Sequence, residues 1–163
     1  MKSKSIFFFP DKCIGCKICE VSCALEHGFE INPLASRIRV IRDDKKGLDV
    51  VGICVQCEEA PCIDICPVQA ISIDEKFGAI IVNKELCIGC DQCEKVCPYY
   101  GIYLDIKSKK AICCDLCNGD PACVKSCPVN ALEYSNINNI NKEVGENIRK
   151  EHKKNLDEVR IKK

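Results

Sequence analysis

The chain has 163 residues, room for one or two small domains; 17 are cysteine, five are Phe, four are Tyr and none is Trp. A cysteine share of about a tenth with so few aromatics excludes an ordinary apolar core and calls for staples, so the unstapled chain is expected to be unfolded or molten. Lys and Arg (24) balance Asp and Glu (24) for a formal charge of zero, and no apolar run approaches the length of a membrane span.

Residues 5–9 read as a short strand leading through Pro10-Asp11 to a first cysteine run, Cys13, Cys16, Cys19 and Cys23, spaced C-x2-C-x2-C-x3-C. Lys17 to Leu25 is expected to form a short helix carrying Cys19 and Cys23. His27, one helical turn further on, is placed either to reach a metal-bound sulfur or to serve as an ordinary structural histidine. From Ala24 to Ile53 there is no cysteine. Arg37 to Arg42 alternates, Asp43 to Gly47 is turn chemistry and Leu48 to Ile53 is apolar, which predicts a β-hairpin.

The second run, Cys54, Cys57, Cys62 and Cys66, reads C-x2-C-x4-C-x3-C-P. The third, Cys87, Cys90, Cys93 and Cys97, returns to the spacing of the first and is closed by Pro98. The fourth, Cys114, Cys117, Cys123 and Cys127, reads C-x2-C-x5-C-x3-C-P. Four runs of four use sixteen of the seventeen cysteines. The spare one is Cys113 or Cys114; the C-x2-C spacing of the other runs selects Cys114 as ligand and leaves Cys113 a packed free thiol.

One phrase recurs after the last three runs: Cys66-Pro-Val-Gln-Ala-Ile71, Cys97-Pro-Tyr-Tyr-Gly-Ile102 and Cys127-Pro-Val-Asn-Ala-Leu132. Each predicts a passage from ligand helix to short strand, with hairpins over 72–83 and 103–112. Asn136 to Asn141 reads as a linker. Lys142 to Lys163 is charged, with Val144, Ile148, Leu156 and Val159 roughly on one face, and predicts a solvated helix, an exposed end or a segment for docking on a partner.

The third run is the ligand pattern of a bacterial-type [4Fe–4S] ferredoxin, whose fourth cysteine holds the neighbouring cluster in two-cluster proteins. Zinc prefers two C-x-x-C knuckles with a longer spacer. Disulfides suit an exported chain, and the apolar patch Ile6 to Phe9 is too short for a signal peptide, which places the chain in the cytoplasm. Sixteen cysteines match the irons of four [4Fe–4S] clusters, leaving no coordination position open for substrate. Sixteen thiolates and four oxidised cores give a net charge of roughly −8, which excludes nucleic acid as a partner. Lys17, Lys95 and Lys125 stand beside ligands and either offset that charge or are solvated. No nucleotide loop is present. The reading is a non-catalytic electron carrier.

The order and spacing of all four runs over residues 5–134 resemble the four-cluster ferredoxin-like electron-transfer subunits of molybdenum and tungsten pterin oxidoreductases. The residues that carry the likeness are Cys13-Ile-Gly-Cys16, Val55-Gln-Cys57-Glu-Glu-Ala-Pro-Cys62, Cys87-Ile-Gly-Cys90 and Cys114-Asp-Leu-Cys117 through Pro121-Ala-Cys123. The resemblance implies an α+β tandem of two dicluster units with a β-hairpin insertion and a C-terminal helical tail. The outer unit comes from 1–30 and 110–134, the inner from 50–105, the insertion from 31–53 and the tail from 135–163. In that family the first run pairs with the fourth and the second with the third. Carried over, the ligand sets are Cys13, Cys16, Cys19 with Cys127; Cys114, Cys117, Cys123 with Cys23; Cys54, Cys57, Cys62 with Cys97; and Cys87, Cys90, Cys93 with Cys66. Asn32-Pro33-Leu-Ala-Ser36-Arg37-Ile-Arg-Val40 is most similar to the small subunits beside tungsten aldehyde oxidoreductases. The implied partners are a large tungsto- or molybdopterin catalytic subunit and a further redox subunit or soluble ferredoxin, in an anaerobic cytoplasmic hetero-oligomer. Linkers of formate dehydrogenase, hydrogenase or carbon monoxide dehydrogenase, and a free polyferredoxin carrier, stay open as alternatives.

Overall fold

In the computed structural model, which describes residues 4–28, 35–136, 139–140 and 142–160, no element before residue 137 exceeds eleven residues. The frequent turns around the cysteine runs set that limit. β1 (Lys4–Phe8) takes Ile6, Phe7 and Phe8 into the interior and pairs antiparallel with β8 (Leu132–Asn136), Ile6 opposite Tyr134 and Phe8 opposite Leu132. The start of the chain is thereby closed against the strand that follows the fourth run. α1 (Ile18–Gly28) turns Cys19, Glu20, Cys23 and Ala24 inward.

β2 (Ile38–Asp43) and β3 (Leu48–Ile53) form the hairpin expected from the alternation, with Val40 opposite Val51. The Glu20 carboxylate accepts the Val40 amide at 2.7 Å, so a buried acid fastens this hairpin to α1. α2 (Pro61–Asp64) opens on a proline, whose fixed φ suits a first helical turn. It packs against α3 (Gln92–Val96), while α4 (Ala122–Lys125) packs against α1. The hairpins expected over 72–83 and 103–112 are β4 (Ile71–Ile73) with β5 (Ile80–Val82), and β6 (Ile102–Leu104) with β7 (Ala111–Cys113). All four sheets are two-stranded and antiparallel, and the whole is mixed α+β. Helices of the first and fourth runs touch each other, as do those of the second and third.

The tail departs from expectation. α5 (Lys142–Arg160) forms, but it is not a solvated helix: it packs on β1, β2 and β3. Its inner face is Gly145, His152 and Leu156, flanked by Arg149 and Val159, while Val144 is 48% exposed. This 3- and 4-residue spacing is helical, yet two of its members are polar and lie outside the expected face of Val144, Ile148, Leu156 and Val159. They are accepted inside because each finds a carbonyl: His152 Nε2 donates to Val51 O, and Arg149 Nη2 donates to Val55 O at 3.2 Å. The His152 ring stands edge-on to Phe8, 5.1 Å between centroids, and 5.7 Å from Tyr99. Residues 137, 138 and 141 of the expected 136–141 linker, and residues 32–34 of the segment around Ser36, lie outside the described residues. Among the described residues no helix is long and apolar enough to cross a membrane.

Candidate metal centres

In all four runs the third residue of the C-x-x-C loop is left-handed: φ is 62° at Gly15, 52° at Gln56, 71° at Gly89 and 61° at Leu116. Glycine takes this conformation without strain. At Gly89 there is a second reason, since a Cβ would stand 2.3 Å from the Lys109 carbonyl oxygen. The neighbour that forbids a side chain there is protein backbone.

The loops gather the cysteines in sets. Cys13, Cys16 and Cys19 line one cavity with Cys127; Cys54, Cys57 and Cys62 line a second with Cys97; Cys87, Cys90 and Cys93 line a third with Cys66. The three are near-equal in size, about 330 to 340 Å³ with their open mouths included, and apolar side chains make most of the remaining wall. Near-equal size and the same donor set point to the same kind of occupant. Cys23, Cys114, Cys117 and Cys123 come together where α1 meets the fourth run, close enough that the first three raise the Cys123 thiol pKa, which burial raises most. Cys113 also borders the second cavity, but its Sγ donates to Ile80 O at 3.1 Å. A larger cavity of about 680 Å³, lined by residues including Arg39, Glu94, Tyr103 and Leu156, contains no cysteine.

The recurring phrase after the last three runs has a structural reason. Each fourth cysteine accepts the amide four residues on: Ala70 N to Cys66 Sγ at 3.3 Å, Gly101 N to Cys97 Sγ at 3.3 Å and Ala131 N to Cys127 Sγ at 3.2 Å. The residue before each donor is left-handed, with φ of 51° at Gln69, 49° at Tyr100 and 50° at Asn130. Such N–H···S contacts stabilise a thiolate and a metal bound to it. The donor is Gly at 101 because a Cβ there would lie 2.3 Å from Cys54 N.

Cys23 is served differently. The Arg37 amide donates to its Sγ at 3.2 Å, and His27 Nδ1 lies 3.7 Å from the same sulfur and 2.8 Å from Cys23 O. His27 Nε2 is 3.1 Å from Asp115 Oδ1, and Arg37 pairs with the other carboxylate oxygen. Burial pushes the Cys23 thiol pKa up, but His27 and the Arg37 amide outweigh it, and the net shift is downward. Burial likewise works against the Asp115 carboxylate, and His27 and Arg37 reverse it, holding Asp115 well below the usual carboxylate range. Asp115, then Cys117 and Cys23, push the His27 pKa up. His27 therefore takes the sulfur-reaching place of the two open to it, with its far nitrogen anchored.

The donor set fits an iron–sulfur group. Burial pushes Cys19, Cys62 and Cys114 up to about 12 and Cys93 up to about 11, so these thiols hold their protons at neutral pH unless a cationic core replaces them. The lysines proposed to offset charge are spoken for in two cases, Lys95 pairing with Asp91 at 2.7 Å and Lys125 with Asp120. Lys17 is exposed. Sequence reasoning missed Gln56, whose side-chain amide donates to Cys114 O at 2.8 Å and accepts the Ile80 amide at 2.7 Å, stitching the second run to the fourth. It also missed Arg37, Asp115 and Lys110, which donates to Cys87 O. Only Gln56 carried a signal, its place inside a C-x-x-C loop.

A family model described as a 4Fe-4S dicluster domain matches residues 46–137, more than half of the chain. The chain belongs to that family. A second model, a 4Fe-4S binding domain, matches residues 10–25. The polyferredoxin-like subunit of an aliphatic sulfonate oxidoreductase from Pyrococcus furiosus is 47% identical over 122 residues, 75% of this chain and 70% of that one. Two proteins of Escherichia coli K12 are also similar. The putative electron transport protein YsaA is 41% identical over 141 residues, covering 79% and 87% of the two chains. The electron transport protein HydN is 40% identical over 149 residues, covering 74% and 81%. Among solved structures, the active site complex BamBC of benzoyl coenzyme A reductase superposes with a TM-score of 0.51 at 28% identity, covering 83% of this chain and 78% of that one. This dicluster-domain protein is an electron-transfer iron–sulfur subunit that binds more than one [4Fe–4S] cluster.

Proposed function

We propose that the chain relays single electrons through four [4Fe–4S] clusters between a catalytic oxidoreductase subunit and an external carrier or second redox subunit, and is itself non-catalytic. The observation that carries this reading is the gathering of cysteines from distant runs around like-sized cavities. The proposed ligand sets are Cys13, Cys16, Cys19, Cys127; Cys23, Cys114, Cys117, Cys123; Cys54, Cys57, Cys62, Cys97; and Cys66, Cys87, Cys90, Cys93, with Cys113 spare. On this reading 1–30 with 110–134 form one dicluster unit and 50–105 the other, with 31–53 as insertion and 135–163 as tail. A cubane held by four cysteines supplies one-electron chemistry and no open iron. The protein's own part is to hold the thiolates, to direct the Ala70, Gly101, Ala131 and Arg37 amides at sulfur, and to keep water out with apolar walls. Gln56 keeps the second and fourth runs in fixed register, as a fixed relay distance requires.

The catalytic partner we favour is a cytoplasmic tungsten or molybdenum pterin aldehyde oxidoreductase, on the likeness of the 32–40 segment to such small subunits. The P. furiosus relative, named as a subunit of an oxidoreductase, supports a dedicated hetero-oligomer. The test is metal analysis of the native protein, purified without oxygen from its own cells. About sixteen irons per chain, with tungsten or molybdenum and a large co-purifying subunit, is the expected result. About sixteen irons with a large subunit and no pterin metal would move the assignment to a hydrogenase or carbon monoxide dehydrogenase linker. The same iron with no partner leaves a free carrier, and iron far below that number overturns the four-cluster reading.

A further inference from the structure

We propose that Arg149, brought in by α5, is a positioning residue whose fixed charge against the Cys54–Cys57 loop raises the reduction potential of the cluster that loop holds. The inference rests on the ligand sets proposed above and makes the C-terminal helix part of the redox apparatus.

Arg149 Nη2 donates to the carbonyl of Val55, a 2% exposed residue inside the Cys54–Cys57 loop. The same carbonyl accepts Ser5 Oγ at 2.8 Å, so the loop is clamped from β1 and from α5 together. The guanidinium lies 5.1 Å over the Phe7 ring, and its Nε is buried with no hydrogen-bond partner among the described residues. A desolvated Nε–H is a cost, and negative charge on the neighbouring site would offset it. Val55 itself lines the cavity shared by Cys54, Cys57, Cys62 and Cys97, so the guanidinium is held against the wall of that site.

One-electron reduction adds a negative charge to the cluster. A cation held nearby in a medium of low dielectric stabilises the reduced form more than the oxidised one, and the potential rises. Lys17 borders the Cys13 cavity in a similar way but is exposed, and water screens its charge.

The test uses the full-length protein, prepared and kept without oxygen, as wild type, Arg149→Met, Arg149→Lys and Cys57→Ala. Iron is measured first; each sample is then titrated potentiometrically with dithionite and followed by electron paramagnetic resonance. In Arg149→Met, iron should match wild type and one cluster signal should move to lower potential while the others stay. Arg149→Lys, which keeps a charge, should remain near wild type. The signal that moves should be the one that Cys57→Ala removes or alters. Unchanged potentials in iron-replete Arg149→Met overturn the proposal. So do equal shifts in Met and Lys variants, a shift in a signal that Cys57→Ala leaves intact, and loss of iron in both Arg149 variants. Wild-type protein with iron far below sixteen per chain would instead sink the ligand sets themselves.

Discussion

Cys23 lies within α1, an eleven-residue helix that runs on past it, whereas Cys66, Cys97 and Cys127 each come one or two residues after a helix of four or five residues and precede a proline. The two regions solve one problem in two ways. Where the helix stops, the amide four residues on is released and turns to the sulfur. Where it continues, that amide belongs to the helical ladder and is directed at a carbonyl. Cys23 must then recruit donors from elsewhere, and they are the Arg37 amide and His27. The difference shows why the first run lacks a proline and why its fourth cysteine draws on a charged side-chain network. It also shows what that network secures: Asp115 of the fourth run binds His27 of α1 and Arg37 at the entry of the hairpin, tying three separate segments at one carboxylate.

The backbone solution is breakable at its tightest point. Gly101→Ala would drive a Cβ into the Cys54 backbone, at 2.3 Å from its amide nitrogen. Backbone has little room to shift, so a loss of about 3 kcal/mol is expected, read as an earlier loss of visible absorbance in anaerobic guanidinium titration. The converse change at the equivalent donor, Ala131→Gly, removes no contact of that kind and should cost about 1 kcal/mol or less. Equal losses at the two sites would show that close approach is not what selects glycine.

The side-chain solution is tested at Asp115. Asp115→Asn removes the charge that His27 and Arg37 share and leaves both half-buried cations without it. A loss of about 2 kcal/mol is expected in the same titration. Asp120→Asn breaks an exposed pair with Lys125 and should stay within about 0.5 kcal/mol. If the two asparagine variants lost equal stability, the network around Cys23 would be ordinary surface charge.

Much of this was legible before any coordinates. Runs of cysteine announce their loops, the alternation from Arg37 announces β2, and the thrice-repeated Cys-Pro phrase announces three equivalent turns. What stayed hidden was contact across long sequence distances. Glu20 and Gln56 read as polar surface residues, and only the approach of Val40, Ile80 and Cys114 makes them internal. Asp115 and His27 are 88 residues apart, and no spacing rule joins them. The inner face of α5 was misread because hydropathy counts His152 and Arg149 as outward-facing, while the carbonyls of Val51 and Val55 wait for them inside.

That helix joins distant parts of the fold, since His152 touches Phe8, whose strand pairs with the one after the fourth run, and Tyr99, which follows the third. Burial lowers the His152 pKa from 6.5 to about 4, so the folded chain keeps the ring neutral. Below pH 6.5 the unfolded or detached helix takes up a proton that the docked form refuses until about pH 4. Docking is therefore fully stable above pH 6.5 and weakens as the pH falls through that window, by about 1.4 kcal/mol at pH 5.5. Amide hydrogen exchange measured at pH 7.5 and 5.5, corrected for the intrinsic rate, should show about a tenfold loss of protection confined to α5 and its contacts on β3. His152→Gln, which has no proton to gain, should abolish the difference. A loss of protection in β6 and β7 as large as that in α5 would mean that acid loosens the cysteine loops first, and that His152 does not control the docking of α5.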